Sequence, residues 1–126
     1  MSAPIVIAED DDDIAAILRE ALGADGSMEP IVVSNGALVV DAVLSVGAQL
    51  LILDVRMPGA SGIDVYDVVR DHPAFRHIPV LFVTANPELA LETTPGKAAR
   101  DIVAKPFDLD DLVSRARTLL GDALAA

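Results

Sequence analysis

Apolar residues fall into two alternating patterns along the chain. Short β-rich apolar runs of Val, Ile and Leu occupy residues 4–8, 30–33, 49–55, 80–85 and 101–104. Between them the spacing widens. Ile14, Ile17, Leu18, Ala21 and Leu22 stand at i, i+3, i+4, i+7 and i+8, one face of a helix. Residues 37–46 follow Asn35-Gly36, residues 63–70 follow Ser61-Gly62, and residues 109–120 follow Asp108, so each helical stretch opens on a capping or turn residue. Continuous apolar strands separated by helices predict a parallel sheet buried on both faces. Five such units in this length predict an α/β fold: a flavodoxin-like, doubly wound sheet in strand order 2-1-3-4-5, helices on both faces. The stretch "NPELALETTPGKAARD" carries two prolines and a Pro-Gly pair, so the fourth helix is expected to be short or irregular.

Composition narrows the class. A chain of 126 residues, just over half of them apolar, suits one compact domain spanning 1–126, with no effector domain expected after the last helix. No apolar stretch is long enough to cross a bilayer, and no secretory signal pattern opens the chain. The lack of cysteine removes disulfides and thiolate metal sites and fits a cytoplasmic location. A net charge of −11, with nine basic residues thinly spread, argues against direct nucleic-acid binding.

The chemistry lies where the strands end, because open α/β sheets bind ligands at their carboxyl edge. The first strand ends in Glu9-Asp10, the third in Asp54, the fourth in Thr84 and the fifth in Lys105. Taken singly, each has a plainer explanation: an Asp closing a strand is usually a turn or cap, a Thr there reflects β-propensity, and an acidic run is usually a solvated face. Together they place three carboxylates, a hydroxyl and an ammonium on one edge. Carboxylates crowded in this way need a cation, and oxygen ligands without Cys or suitably placed His point to Mg²⁺. Asp54 closes "LLILD" ahead of the Pro- and Gly-containing loop "VRMPGASG", where a carboxylate can attack phosphorus and form an acyl phosphate. Lys105 and Thr84 suit charge neutralisation and orientation of the phosphoryl oxygens.

From "IVIAEDDDDI" through "LLILDVRMPGASGIDV" and "IPVLFVTAN" to "VAKPFDLDDL", the chain resembles the response-regulator receiver domains of two-component phosphorelays. The resemblance implies that Asp54 accepts a phosphoryl group from a histidine kinase or His-phosphotransfer protein. It implies that Asp10 ligates Mg²⁺ directly, Glu9 largely through water, and Arg56 through its backbone carbonyl. Thr84 and Lys105 would contact the phosphoryl group, and Lys105-Pro106 would be cis. The module would signal to a downstream protein by conformational change, with a homodimer possible, rather than act as an enzyme. One departure stands out: receivers commonly carry an aromatic residue three positions before the lysine, and here that position is Ile102. Phe82 is expected in the core and Tyr66 half-buried. His72 and His77 are expected to serve surface packing.

Rival functions fit less well. A phosphatase of the haloacid dehalogenase type needs a second Asp two residues after its nucleophile, where this chain has Arg56. An FMN-binding flavodoxin needs a Ser, Thr or Gly-rich loop after the first strand, where five carboxylates would repel the cofactor phosphate. The remaining alternative is a receiver-like interaction module that works without phosphorylation. Of the acidic run, Glu9 and Asp10 are assigned to the site; Asp11, Asp12 and Asp13 open the first helix, one of them as its cap.

Overall fold

The computed structural model describes residues 2–93 and 100–125. Five parallel strands, β1 (Ala3–Ala8), β2 (Met28–Val33), β3 (Leu50–Leu53), β4 (Val80–Thr84) and β5 (Arg100–Ala104), form one sheet in the order β2-β1-β3-β4-β5. Helices α1 (Asp12–Gly23), α2 (Val39–Val46), α3 (Gly62–Asp71), α4 (Pro87–Thr93) and α5 (Leu109–Ala125) provide the crossovers and the last element. The flavodoxin-like order is therefore the one expected from the sequence.

Alternation along the strands divides the core in two. Ile5 and Ile7 point to the α1 and α5 side with Leu50, Ile52, Leu81 and Val83, and meet Leu18, Leu22, Leu112, Ala116 and Leu120. Val6 and Ala8 point the other way with Leu51, Leu53 and Phe82, and meet Val39, Val43, Val65 and Val69 of α2 and α3. Because β1, β3 and β4 are covered on both faces, their sequences are continuously apolar rather than alternating.

Several elements depart from the sequence reading. β3 stops at Leu53 rather than at residue 55, because the chain turns at the site. A 3-10 turn at Gly36–Leu38, capped by the Asn35 side chain, precedes α2, which begins only at Val39. α4 is short, at seven residues. Its proposed interruption at Pro95-Gly96 lies outside the described residues. On α1 the buried positions are Ala15, Leu18 and Leu22, and Ile17 is 47% exposed. The helix is thus rotated about its axis relative to the stripe read from spacing, with Ala15 rather than Ile17 on the buried face. Tyr66 is buried rather than half-buried, with its ring 5.5 Å from that of Phe82.

Candidate functional site at the carboxyl edge of the sheet

Backbone pairing continues one residue past three strands, and this aims the site residues. The amide of Glu9 donates to the Val33 carbonyl at 3.1 Å, that of Asp54 to Ala8 at 3.1 Å, and that of Lys105 to Thr84 at 2.8 Å. Each polar residue is therefore held by the sheet ladder although it lies beyond the apolar run. β1 and β3 are neighbours, so Glu9 and Asp54 emerge side by side. Lys105 reaches them from beyond β5. Its Nζ donates to Glu9 Oε1 at 2.6 Å and to Asp54 Oδ2 at 2.9 Å. The Lys105-Pro106 peptide is cis, as the resemblance implies.

Glu9 and Asp54 are buried while Asp10 is exposed, and one ligand atom from each of the three lies within 4.8 Å of the others. Burial pushes the Glu9 carboxyl above its ordinary value, and the hydrogen bonds and charge of Lys105 only partly offset it. For Lys105, burial opposes the charge, but hydrogen bonds to Glu9 and Asp54 outweigh it and hold the ammonium above its ordinary value. With all groups ionised, three carboxylates face one ammonium, leaving two negative charges uncompensated. An all-oxygen donor set with this excess fits a hard divalent cation, Mg²⁺ above all, rather than a soft metal.

The structure thus brings Glu9, Asp10, Asp54 and Lys105 together. Thr84 ends β4, next to β3, and is wholly buried. Its Oγ1 accepts from the Asn86 amide at 3.0 Å, which pins the hydroxyl group in a local turn. Among the described residues no hydrogen bond joins the Thr84 hydroxyl to Glu9, Asp54 or Lys105, and the link to Lys105 runs through the Thr84 carbonyl. Arg56 keeps its side chain exposed, and its amide donates to Asp54 Oδ1 at 3.4 Å, a long contact. His72 stacks on Phe75 with ring centroids 4.3 Å apart, and its Nδ1 accepts from the Ala74 amide, so surface packing accounts for it. His77 is exposed on the same loop.

Asp11 proves to be the cap of α1: its Oδ1 accepts from the amides of Asp13 and Ile14. Asp12 and Asp13 form the first turn. Sequence reasoning did not attach Asn35, Gly36 or Gly59 to the site. Asn35-Gly36 reads as a turn, and nothing in local spacing shows that it meets residues more than twenty positions later.

The model of the response regulator receiver domain family matches residues 5–117. The DNA-binding response regulator MtrA of Mycolicibacterium smegmatis is 33% identical over 95% of this chain and 51% of its own. The sensor histidine kinase TmoS of Ectopseudomonas mendocina is 31% identical over 95% of this chain and 13% of its own. The chain therefore spans about half, or less, of the length of these curated relatives. A putative response regulator from Chloroflexus aurantiacus superposes with a TM-score of 0.84 at 27% identity, covering 96% of this chain and 99% of that one. The signal receiver domain of a histidine kinase from Syntrophus aciditrophicus gives the same TM-score and identity over 96% and 92%. Matched over nearly its whole length and folded in the same strand order around an edge of acidic residues and lysine, this chain belongs to the response regulator receiver domain family.

Proposed function

We propose that this chain is a phosphoacceptor switch, taking a phosphoryl group onto Asp54 from a histidine kinase or His-phosphotransfer protein. One observation carries the reading: Lys105 Nζ lies within hydrogen-bond distance of both Glu9 and Asp54, beside the exposed carboxylate of Asp10. In the transfer, an Asp54 carboxylate oxygen forms the O–P bond as the N–P bond of a phosphohistidine breaks. The electron pair returns to the imidazole nitrogen, which takes up a proton. Lys105 can follow the new oxygens with its ammonium, because its flexible stem and three donors are not committed to one geometry. Glu9, Asp10, Asp54 and the Arg56 carbonyl would hold Mg²⁺, which when bound neutralises charge on the phosphoryl oxygens.

Hydrolysis by water would restore the carboxylate and release phosphate, so the module times a signal and is not a turnover enzyme. Arg56 and Asn86, two residues after Asp54 and Thr84, would tune its rate. Phosphorylation adds charge and acceptor oxygens, which bias Thr84 and the loops around it and so alter the surface offered to a downstream protein. The exchange between proteins would take place in the cytoplasm; no helix among the described residues is long and apolar enough to cross a membrane. The reading without phosphorylation draws on Ile102, which packs beside Phe82 where receivers commonly carry an aromatic residue.

One experiment separates the two. Incubation with a small phosphodonor and Mg²⁺, followed by intact mass, is expected to add one acid-stable, hydroxylamine-sensitive phosphoryl group, absent from Asp54→Asn. Folded protein that never gains it supports the interaction module; an adduct surviving in Asp54→Asn refutes the site assignment.

A further inference from the structure

The loop between Asp54 and α3 is anchored at both its base and its tip. At the base, the Gly62 amide donates to the Val55 carbonyl at 2.9 Å, and a methyl group on Gly62 would collide with the Asp54 carbonyl oxygen. At the tip, the Pro58 carbonyl accepts from its neighbour Ala60 at 3.2 Å and from Gly36, on the β2–α2 connection, at 3.0 Å. The Ala60 carbonyl oxygen lies where a methyl group on Gly36 would stand. Gly59, at φ 86°, is covered in the same way by Asn35 Oδ1, which is itself fixed by the Ala37 amide at 2.8 Å. Two connections distant in sequence therefore interlock, through the backbone of Gly36 and the side chain of Asn35, with no room for a Cβ at Gly36 or Gly59.

Between these anchors sits Arg56, whose amide contacts Asp54 Oδ1 and whose carbonyl is assigned to the metal under the reading above. We propose that Asn35 and Gly36 are positioning residues for the Asp54 site: by pinning Pro58–Ala60 they fix the path of the loop and with it the Arg56 backbone. The inference rests on the phosphoacceptor reading. It makes the β2–α2 connection part of the site without placing any of its side chains on metal or phosphate. Residues that orient ligands in this way typically affect metal affinity by about 10–100-fold when altered.

The test compares glycine variants by Mg²⁺ affinity, followed through amide shifts, and by phosphoryl uptake. Gly36→Ala and Gly59→Ala are expected to weaken Mg²⁺ binding by about tenfold and to slow uptake. Gly26→Ala is the control. It meets the same left-handed strain as Gly59, at φ 77°, with nothing within 4 Å, so it loses stability but keeps the parent's affinity. Should Gly36→Ala fail to fold, Gly59→Ala against Gly26→Ala decides. Interlock variants with the parent's affinity, or a control that loses as much as they do, overturn the proposal. A parent that binds Mg²⁺ but takes no phosphoryl group rejects the phosphoacceptor reading while the affinities still judge the positioning role; a parent that binds no Mg²⁺ rejects both.

Discussion

Lys105 has a different burden from a surface lysine. It bridges Glu9 and Asp54 while its own side chain remains 17% exposed. Removing it leaves two buried carboxylates facing each other, so Lys105→Met is expected to cost about 2 kcal/mol in Mg²⁺-free urea unfolding. That is less than a fully buried pair would lose, because solvent reaches part of the site. The same substitution in a Glu9→Gln background is expected to cost less, and strict additivity of the two would show that the bridge contributes nothing. Asp25 supports a pH prediction. Hydrogen bonds from the Ser27 hydroxyl and amide, with the Arg117 guanidinium, hold its carboxyl below the ordinary value. A depressed folded value means stability that is complete above the unfolded value and lost as pH falls through the folded one. Asp25→Asn is therefore expected to flatten the acid limb of a stability–pH curve and leave its neutral part nearly parallel to the parent's.

At the scale of elements, the acidic run divides its work. Asp11 satisfies two amides at the start of α1, so Asp11→Ala is expected to destabilise by about 1 kcal/mol in urea unfolding. Asp12→Ala and Asp13→Ala should lose only the weaker dipole contribution, at most about 0.5 kcal/mol. Equal losses at all three would contradict the assignment of the cap. That a cap lay among the three could be read from the run itself, because acids are favoured at helix starts. Which one it was depended on where the chain leaves the β1 ladder. Helix faces were legible only approximately: Ile17 fits the spacing yet faces solvent, because contact with the sheet, not periodicity, sets a helix's rotation. The 3-10 start of α2 escaped the sequence for a related reason, since Gly36 is held by the Pro58 carbonyl of another loop.

Over the whole molecule the net charge is −11, and at one edge Glu9, Asp10 and Asp54 gather around the single ammonium of Lys105. Mg²⁺ binding there should stabilise the fold by mass action, about 2.7 kcal/mol at a hundredfold excess over Kd. Thermal unfolding at fixed ionic strength should rise with Mg²⁺, and much less so in Asp10→Asn. An equal rise with a monovalent salt would show general screening instead. The sequence by itself determined the strand-helix alternation, the strand order and the identity of Glu9, Asp10, Asp54 and Lys105 as convergent groups. Apolar period and strand-end chemistry are local properties, and open parallel sheets gather their strand ends at one edge. Only the tertiary structure decided that Lys105 bridges Glu9 and Asp54, that Thr84 is turned into a local hydrogen bond, and that Asn35-Gly36 locks the loop beyond Asp54. Those outcomes depend on distances between segments far apart in the chain, which are set by how the two cores pack against the sheet.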